Sequence, residues 1–128
     1  MINEVYTGTE RRQALRIKFE GTGEIKCQAS GGSDCAETCI FINLSERGAC
    51  LKCPIPLNEN SELALHFKLP GLLNINLHST AKVVWCLLQP EEKCYLVGVT
   101  FNSIKAMELT ALRSFILIQN KKGNVFQF

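Results

Sequence analysis

The sequence lacks the charge imbalance, the long apolar runs and the signature motifs that mark several large protein classes. Its 14 basic and 12 acidic side chains leave a formal net charge of only +2. Binding to duplex nucleic acid rests on many phosphate contacts, so this excess argues against it and confines any anion site to a local cluster. The longest unbroken apolar run, Val83 to Leu88, falls far short of the roughly 20 residues a membrane-spanning helix needs. The start of the chain, with Asn3, Glu4, Thr7 and Thr9, has no apolar stretch of the kind an export signal carries. The expected compartment is therefore the cytoplasm, with no membrane partner. There is no G-x-x-x-x-G-K-S/T, H-E-x-x-H or G-x-S-x-G, so no enzyme class is marked and none is expected. Repeats, low-complexity tracts and long linkers are also missing, and residues 1–128 are expected to form one domain. Core material is present, because 46% of residues are hydrophobic and 20% charged, as in ordinary globular proteins. The seven cysteines are an odd number and, with no export signal, read as reduced thiols.

Hydrophobic periodicity predicts mostly strands. Leu15, Ile17 and Phe19 alternate with Arg16, Lys18 and Glu20, the period of two of a half-buried strand, just after the basic pair Arg11-Arg12. Gly21 and Gly23 are expected to bend or bulge the chain before a strand at Glu24 to Gln28, and Ser30 to Asp34 reads as a loop. A β-branched and aromatic stretch, Thr38 to Ile42, predicts the next strand and runs into a turn at Asn43 to Gly48. After Ala49 to Lys52 comes the clearest strand, Glu62 to Leu69, then a Pro70-Gly71 turn. Ile75 to Leu88 is long enough to curve around a barrel, and Cys94 to Phe101 follows a polar turn at Gln89 to Lys93. The period then changes. Asn102 or Ser103 can cap a helix over residues 103–120 whose apolar members include Ile104, Met107, Leu112, Phe115 and Ile118. Its stripe is broader than one core-facing side needs, which leaves part for a partner, a second copy of the chain included. Short strands followed by one helix predict an all-β fold, a small barrel with the helix against one opening.

Two constellations can carry chemistry. Arg12 and Arg16 stand four apart where a basic segment becomes a strand, with Arg11 beside them. A guanidinium offers a planar fork of donors that fits a phosphate or the O6/N7 edge of guanine with two parallel hydrogen bonds. On their own, though, the three arginines read first as a solvated basic arm, since short charge runs usually face water. The second constellation is Asn43, Ser45 and Gly48. Asn43 can accept from guanine or hold its own turn, Ser45 can donate to a phosphate, and Gly48 permits positive φ or close approach. On their own these are also the usual residues of a polar strand connection.

The order and separation of the two motifs resemble those of the PilZ domain, whose pattern is RxxxR followed by D/N-x-S-x-x-G. Here they are Arg12-Gln13-Ala14-Leu15-Arg16 and Asn43-Leu44-Ser45-Glu46-Arg47-Gly48, and Val84-Trp85 and Gly98-Val99-Thr100-Phe101 are similar to the family's closing strands. The resemblance implies a six-stranded antiparallel β-barrel with a C-terminal α-helix. It also implies a receptor for the bacterial second messenger cyclic di-GMP that signals to an effector protein and uses no metal or cofactor. By resemblance, residues 1–13 are a flexible switch that folds over the ligand, with Arg12 and Arg16 gripping phosphate and guanine. Asn43, Ser45 and Gly48 would form the floor. Arg11 adds a third guanidinium, which in the family accompanies two stacked nucleotides per chain. Asn43 stands where many members carry aspartate, at the cost of a charge-assisted hydrogen bond.

Other readings compete. Cys35, Cys39, Cys50 and Cys53 lie close in sequence, and Cys50-x-x-Cys53 has metal-ligand spacing. A separation of three along a strand, however, sends the two side chains to opposite faces. His66 and His78 have no carboxylate pair nearby in sequence and read as surface residues, while Trp85 reads as core. An interaction module of the same fold without nucleotide binding is the main alternative; members of that kind typically lack both motifs.

Overall fold

Alternation of apolar and polar residues along the chain becomes alternation of inside and outside in the fold. The structure, a computed structural model, describes residues 14–28, 34–71 and 74–125. The strands are β1 (Arg16–Lys18), β2 (Thr22–Gln28), β3 (Asp34–Ser45), β4 (Gly48–Cys53), β5 (Glu62–Leu69), β6 (Ile75–Gln89) and β7 (Cys94–Ile104), followed by helix α1 (Ala106–Lys121). In β5, Leu63, Leu65, Phe67 and Leu69 are buried, while Glu62, Ala64 and Lys68 are exposed. A half-buried strand requires that pattern.

All pairings are antiparallel, in the order β3-β2-β5-β6-β7-β4, and a further β3–β4 pairing closes a six-stranded barrel. The short β1 lies outside this ring, on the edge of β3 beyond β2. Closure needs local bends. The β6–β7 register shifts between Thr80 and Ala81 and again between Val83 and Trp85, and the β3–β4 register shifts between Phe41 and Asn43. Such bulges curve a strand and reverse which face its later residues show.

Large apolar side chains fill the interior. Phe41 is 1% exposed and meets Phe19 at 5.2 Å and Phe67 at 4.7 Å between ring centroids. Phe115 of α1 reaches Phe19 at 5.7 Å, and Leu112 and Ile116 are buried, so the helix packs onto the barrel core. The helix begins later than an Asn102 or Ser103 cap predicts, because β7 continues through Ile104, and Lys105 takes the N-cap position without a side-chain cap. It ends where Gly123 has φ +84°, and Asn124 N donates to the Gln119 carbonyl at 3.0 Å. The chain then returns to β1. Lys18 N donates to Asn124 O at 3.0 Å, and Val125 bridges Ile17.

Phe41→Ala should lower unfolding free energy by about 3–5 kcal/mol, read as an earlier urea midpoint with an unchanged slope. A loss below about 1 kcal/mol would show that the Phe19–Phe41–Phe67 cluster does not hold the core.

Candidate functional site

β1 and the β3–β4 hairpin bring four of the six sequence-predicted site residues, Arg16, Asn43, Ser45 and Gly48, onto one patch of the barrel wall. Arg16 is the β1 partner of Ser45, and Lys18 is the partner of Asn43. Because Ile17 between them is buried at 1%, Arg16 and Lys18 stand on the outer surface. The Arg16 Nη1 donates to Asn43 Oδ1 at 2.7 Å. Burial pushes the Arg16 guanidinium below its ordinary value, an effect partly opposed by Cys50. Burial likewise pushes the Cys50 thiol up, against the pull of Arg16. Arg16 makes no ion pair among the described residues. It is therefore a partly desolvated cation whose partner is a neutral amide, and its remaining N–H donors are suited to an anion. Arg11 and Arg12 lie outside the described residues.

The turn residues do different work from that expected of them. Ser45 is fully buried, and its Oγ accepts from Arg47 N at 3.1 Å and Gly48 N at 3.2 Å while donating to Gly48 O at 3.3 Å. The hydroxyl shapes the turn and is not offered to a phosphate. Asn43 is 4% exposed and its acceptor oxygen already serves Arg16, so it orients the guanidinium rather than presenting a free acceptor to guanine. Gly48 does not need positive φ. A Cβ there would collide with the Val99 carbonyl of β7, so the close approach of β4 and β7 demands glycine. Glu46, in the same turn, receives Arg113 Nε of α1 at 2.6 Å.

Across the wall runs a row of register partners: Lys18 on β1, Asn43 on β3, Cys50 on β4, Gly98 on β7 and Trp85 on β6. Trp85 lies over Gly98, where a Cβ would strike the indole ring, and is 36% exposed. Trp85 is thus not a core residue. The bulge after Val83 reverses the strand's parity and turns the ring outward. At ordinary strand spacing the row from Asn43 to Trp85 spans about 14 Å, with cations at one end and an aromatic face at the other. The sequence signal for it was a lone tryptophan, which no strand count could orient without the bulge.

The other candidates lie elsewhere. Cys50 sits on the outer wall beside Asn43, while Cys53, 1% exposed, belongs to the core with Cys39. Among the described residues no three His, Cys, Asp or Glu side chains converge on a metal position. His66 and His78 are cross-strand partners whose rings stack at 4.4 Å. In the fold each has a carboxylate from a distant part of the chain nearby, Glu24 at 3.9 Å from His66 and Glu108 at 4.0 Å from His78. No described helix is long and apolar enough to cross a membrane.

A family model described as PilZ domain matches residues 10–117. No curated protein sequence matches the chain. Among solved structures, the Bacillus subtilis inhibitor of motility MotI/DgrA is similar with TM-score 0.73 and 16% identity, over 88% of this chain and 52% of that one. The PilZ domain of YcgR from Escherichia coli with c-di-GMP gives TM-score 0.62 and 13% identity, over 88% of this chain and 94% of that one. The K. pneumonia MrkH–c-di-GMP complex gives 0.64 and 11%, over 88% and 54%. The chain thus spans about half the length of MotI and MrkH.

Two glycine substitutions test this geometry. Gly98→Ala should unseat the only tryptophan, read as a shift in emission; an unaltered spectrum would mean that the ring does not rest on Gly98. Gly48→Ala should cost about 2 kcal/mol or more by forcing β4 from β7, measured by thermal unfolding.

Proposed function

Because the chain belongs to the PilZ domain family, which its match over residues 10–117 establishes, we propose that it is a non-enzymatic receptor for cyclic di-GMP. One observation carries the proposal: Arg16, half-buried and without a counter-ion among the described residues, is aimed by Asn43 along an outer wall that ends in the exposed Trp85. Cyclic di-GMP offers two phosphodiester charges to guanidinium forks and two flat bases to stack on. The c-di-GMP in the similar YcgR and MrkH structures supports the choice of ligand.

In this proposal Arg12 and Arg16 grip phosphate and guanine, and Asn43, Ser45 and Gly48 supply the frame that sets Arg16 in place. Arg11 pairs with or stacks on a second nucleotide. The ligand draws residues 1–13 across the wall and makes a new surface for an effector protein in a bacterial cytoplasm. The alternative, an interaction module without nucleotide, draws support from Met107, Leu117 and Ile118, which are exposed on α1. That surface would equally serve an effector or a second copy of the chain.

Calorimetry with cyclic di-GMP separates the two. The native chain should bind two nucleotides, and Arg12→Ala/Arg16→Ala should weaken binding by at least about 100-fold, as expected for loss of charge-assisted contacts. No heat on the native chain would favour the interaction module. A stoichiometry of one, unchanged in Arg11→Ala, would remove the second nucleotide. Proteolysis within residues 1–13 should slow when ligand is added; equal cleavage with and without it would count against ordering of the arm.

A further inference from the structure

The nucleotide proposal leaves the cysteines without a task, yet two of them are placed as a pair. In the β3–β4 ladder Ile40 faces Lys52. The next positions in the same register are Cys39 and Cys53, both turned inward and 0% and 1% exposed. Directly opposed residues of antiparallel strands hold their Cβ atoms about 4.5–5.5 Å apart, and a disulfide spans about 3.5–4.5 Å. A small closing movement joins them. The two thiols influence each other's titration, and the Cys39 thiol donates to the Gly23 carbonyl at 3.5 Å. Contact with Cys53 holds the Cys39 thiol below its ordinary value, and the same contact, with burial, pushes Cys53 up. Either sulfur can attack an oxidant, and the other is in place to resolve it.

Their place in the hairpin gives the pair a consequence. Asn43, Ser45 and Gly48 all lie between Cys39 and Cys53 in the chain. The β3–β4 ladder ends at Ile40 and Lys52, and β4 itself stops at Cys53, before Pro54. Local opening at that point admits a small oxidant without dismantling the ladder above it.

We propose that Cys39 and Cys53 form an oxidisable dithiol, closed to a cross-strand disulfide by an oxidant of the hydrogen peroxide class, which staples the base of the hairpin carrying the candidate site. The thiolate of one of the two attacks one peroxide oxygen, the O–O bond breaks, and the departing hydroxide takes up the proton that thiol gave up, forming water and a sulfenic acid. The other sulfur then displaces the sulfenic oxygen, which leaves as a second water with that thiol's proton. Two thiols lose two electrons and two protons, and the peroxide gains them.

The test uses the full reduced chain. It is treated with hydrogen peroxide, unfolded, alkylated at remaining thiols and mapped by mass spectrometry, with amide exchange measured in parallel. Expected are a linked peptide pair carrying Cys39 and Cys53, reversal by dithiothreitol, and slower exchange across Asn43 to Gly48 in the oxidised form. Cys39→Ser and Cys53→Ser should each abolish the pair, and Cys86→Ser should leave it. The native mapping decides even where a variant fails to fold. Recovery of both residues alkylated, linkage instead between the β2–β3 register partners Cys27 and Cys35, or unchanged exchange would overturn the proposal. None of these measurements requires nucleotide binding, so either proposal can fail alone.

Discussion

Everything on the candidate site depends on β3 holding three neighbours. Residues 34–40 pair with β2, residues 40–44 pair with β4 to close the ring, and residues 43–45 carry β1. A three-residue strand has little stability of its own, and β1 persists because β3 holds one edge while Asn124 and Val125 bond the other. The position of Arg16 is therefore a consequence of barrel closure. Closure in turn leaves β3 no freedom to slide. A one-residue slip would turn Asn43 into the core and Leu44 out of it.

The strands that alternate cleanly were legible from the sequence because one of their faces is buried throughout. Glu62 to Leu69 was read at its observed bounds for that reason. Legibility failed where parity breaks. The bulge after Val83 placed Trp85 on the outer wall, and an apolar run around it gave the opposite impression. The two motifs were found, and Asn43, Ser45, Gly48 and Arg16 do lie together, but their roles were not legible. Ser45 and Gly48 satisfy demands of the fold itself, a turn hydroxyl saturated by its own backbone and a strand crossing too tight for a Cβ. Such demands belong to atoms far away in sequence, Val99 among them, which no local pattern contains.

A net charge of +2 says nothing of where charge is exposed to water. The ion pairs described lie at the surface, Lys52 with Glu92 being one, and contribute little to stability. Arg16 differs in kind. Its charge has lost part of its hydration and, among the described residues, found only a neutral amide in return, an arrangement that an arriving anion improves. A local cation with no counter-ion among the described residues would reconcile a nearly neutral chain with the anionic ligand proposed for it.

Helix α1 and the segment just after it touch the frame of the site in three places, and the contacts are unequal. Arg113 meets Glu46 of the turn, but their side chains are 57% and 32% exposed, so the pair is worth no more than about 1 kcal/mol and weakens with salt. Phe115 packs edge-on against Phe19, one residue past β1, and Asn124 bonds the backbone of Lys18 within it. These two contacts are short and directional, and the aromatic one lies in the core cluster, where packed side chains resist deformation. A displacement of β1 by a ligand gripping Arg16 would therefore reach α1 through Phe19 and Asn124. The Glu46–Arg113 pair would follow that movement rather than drive it.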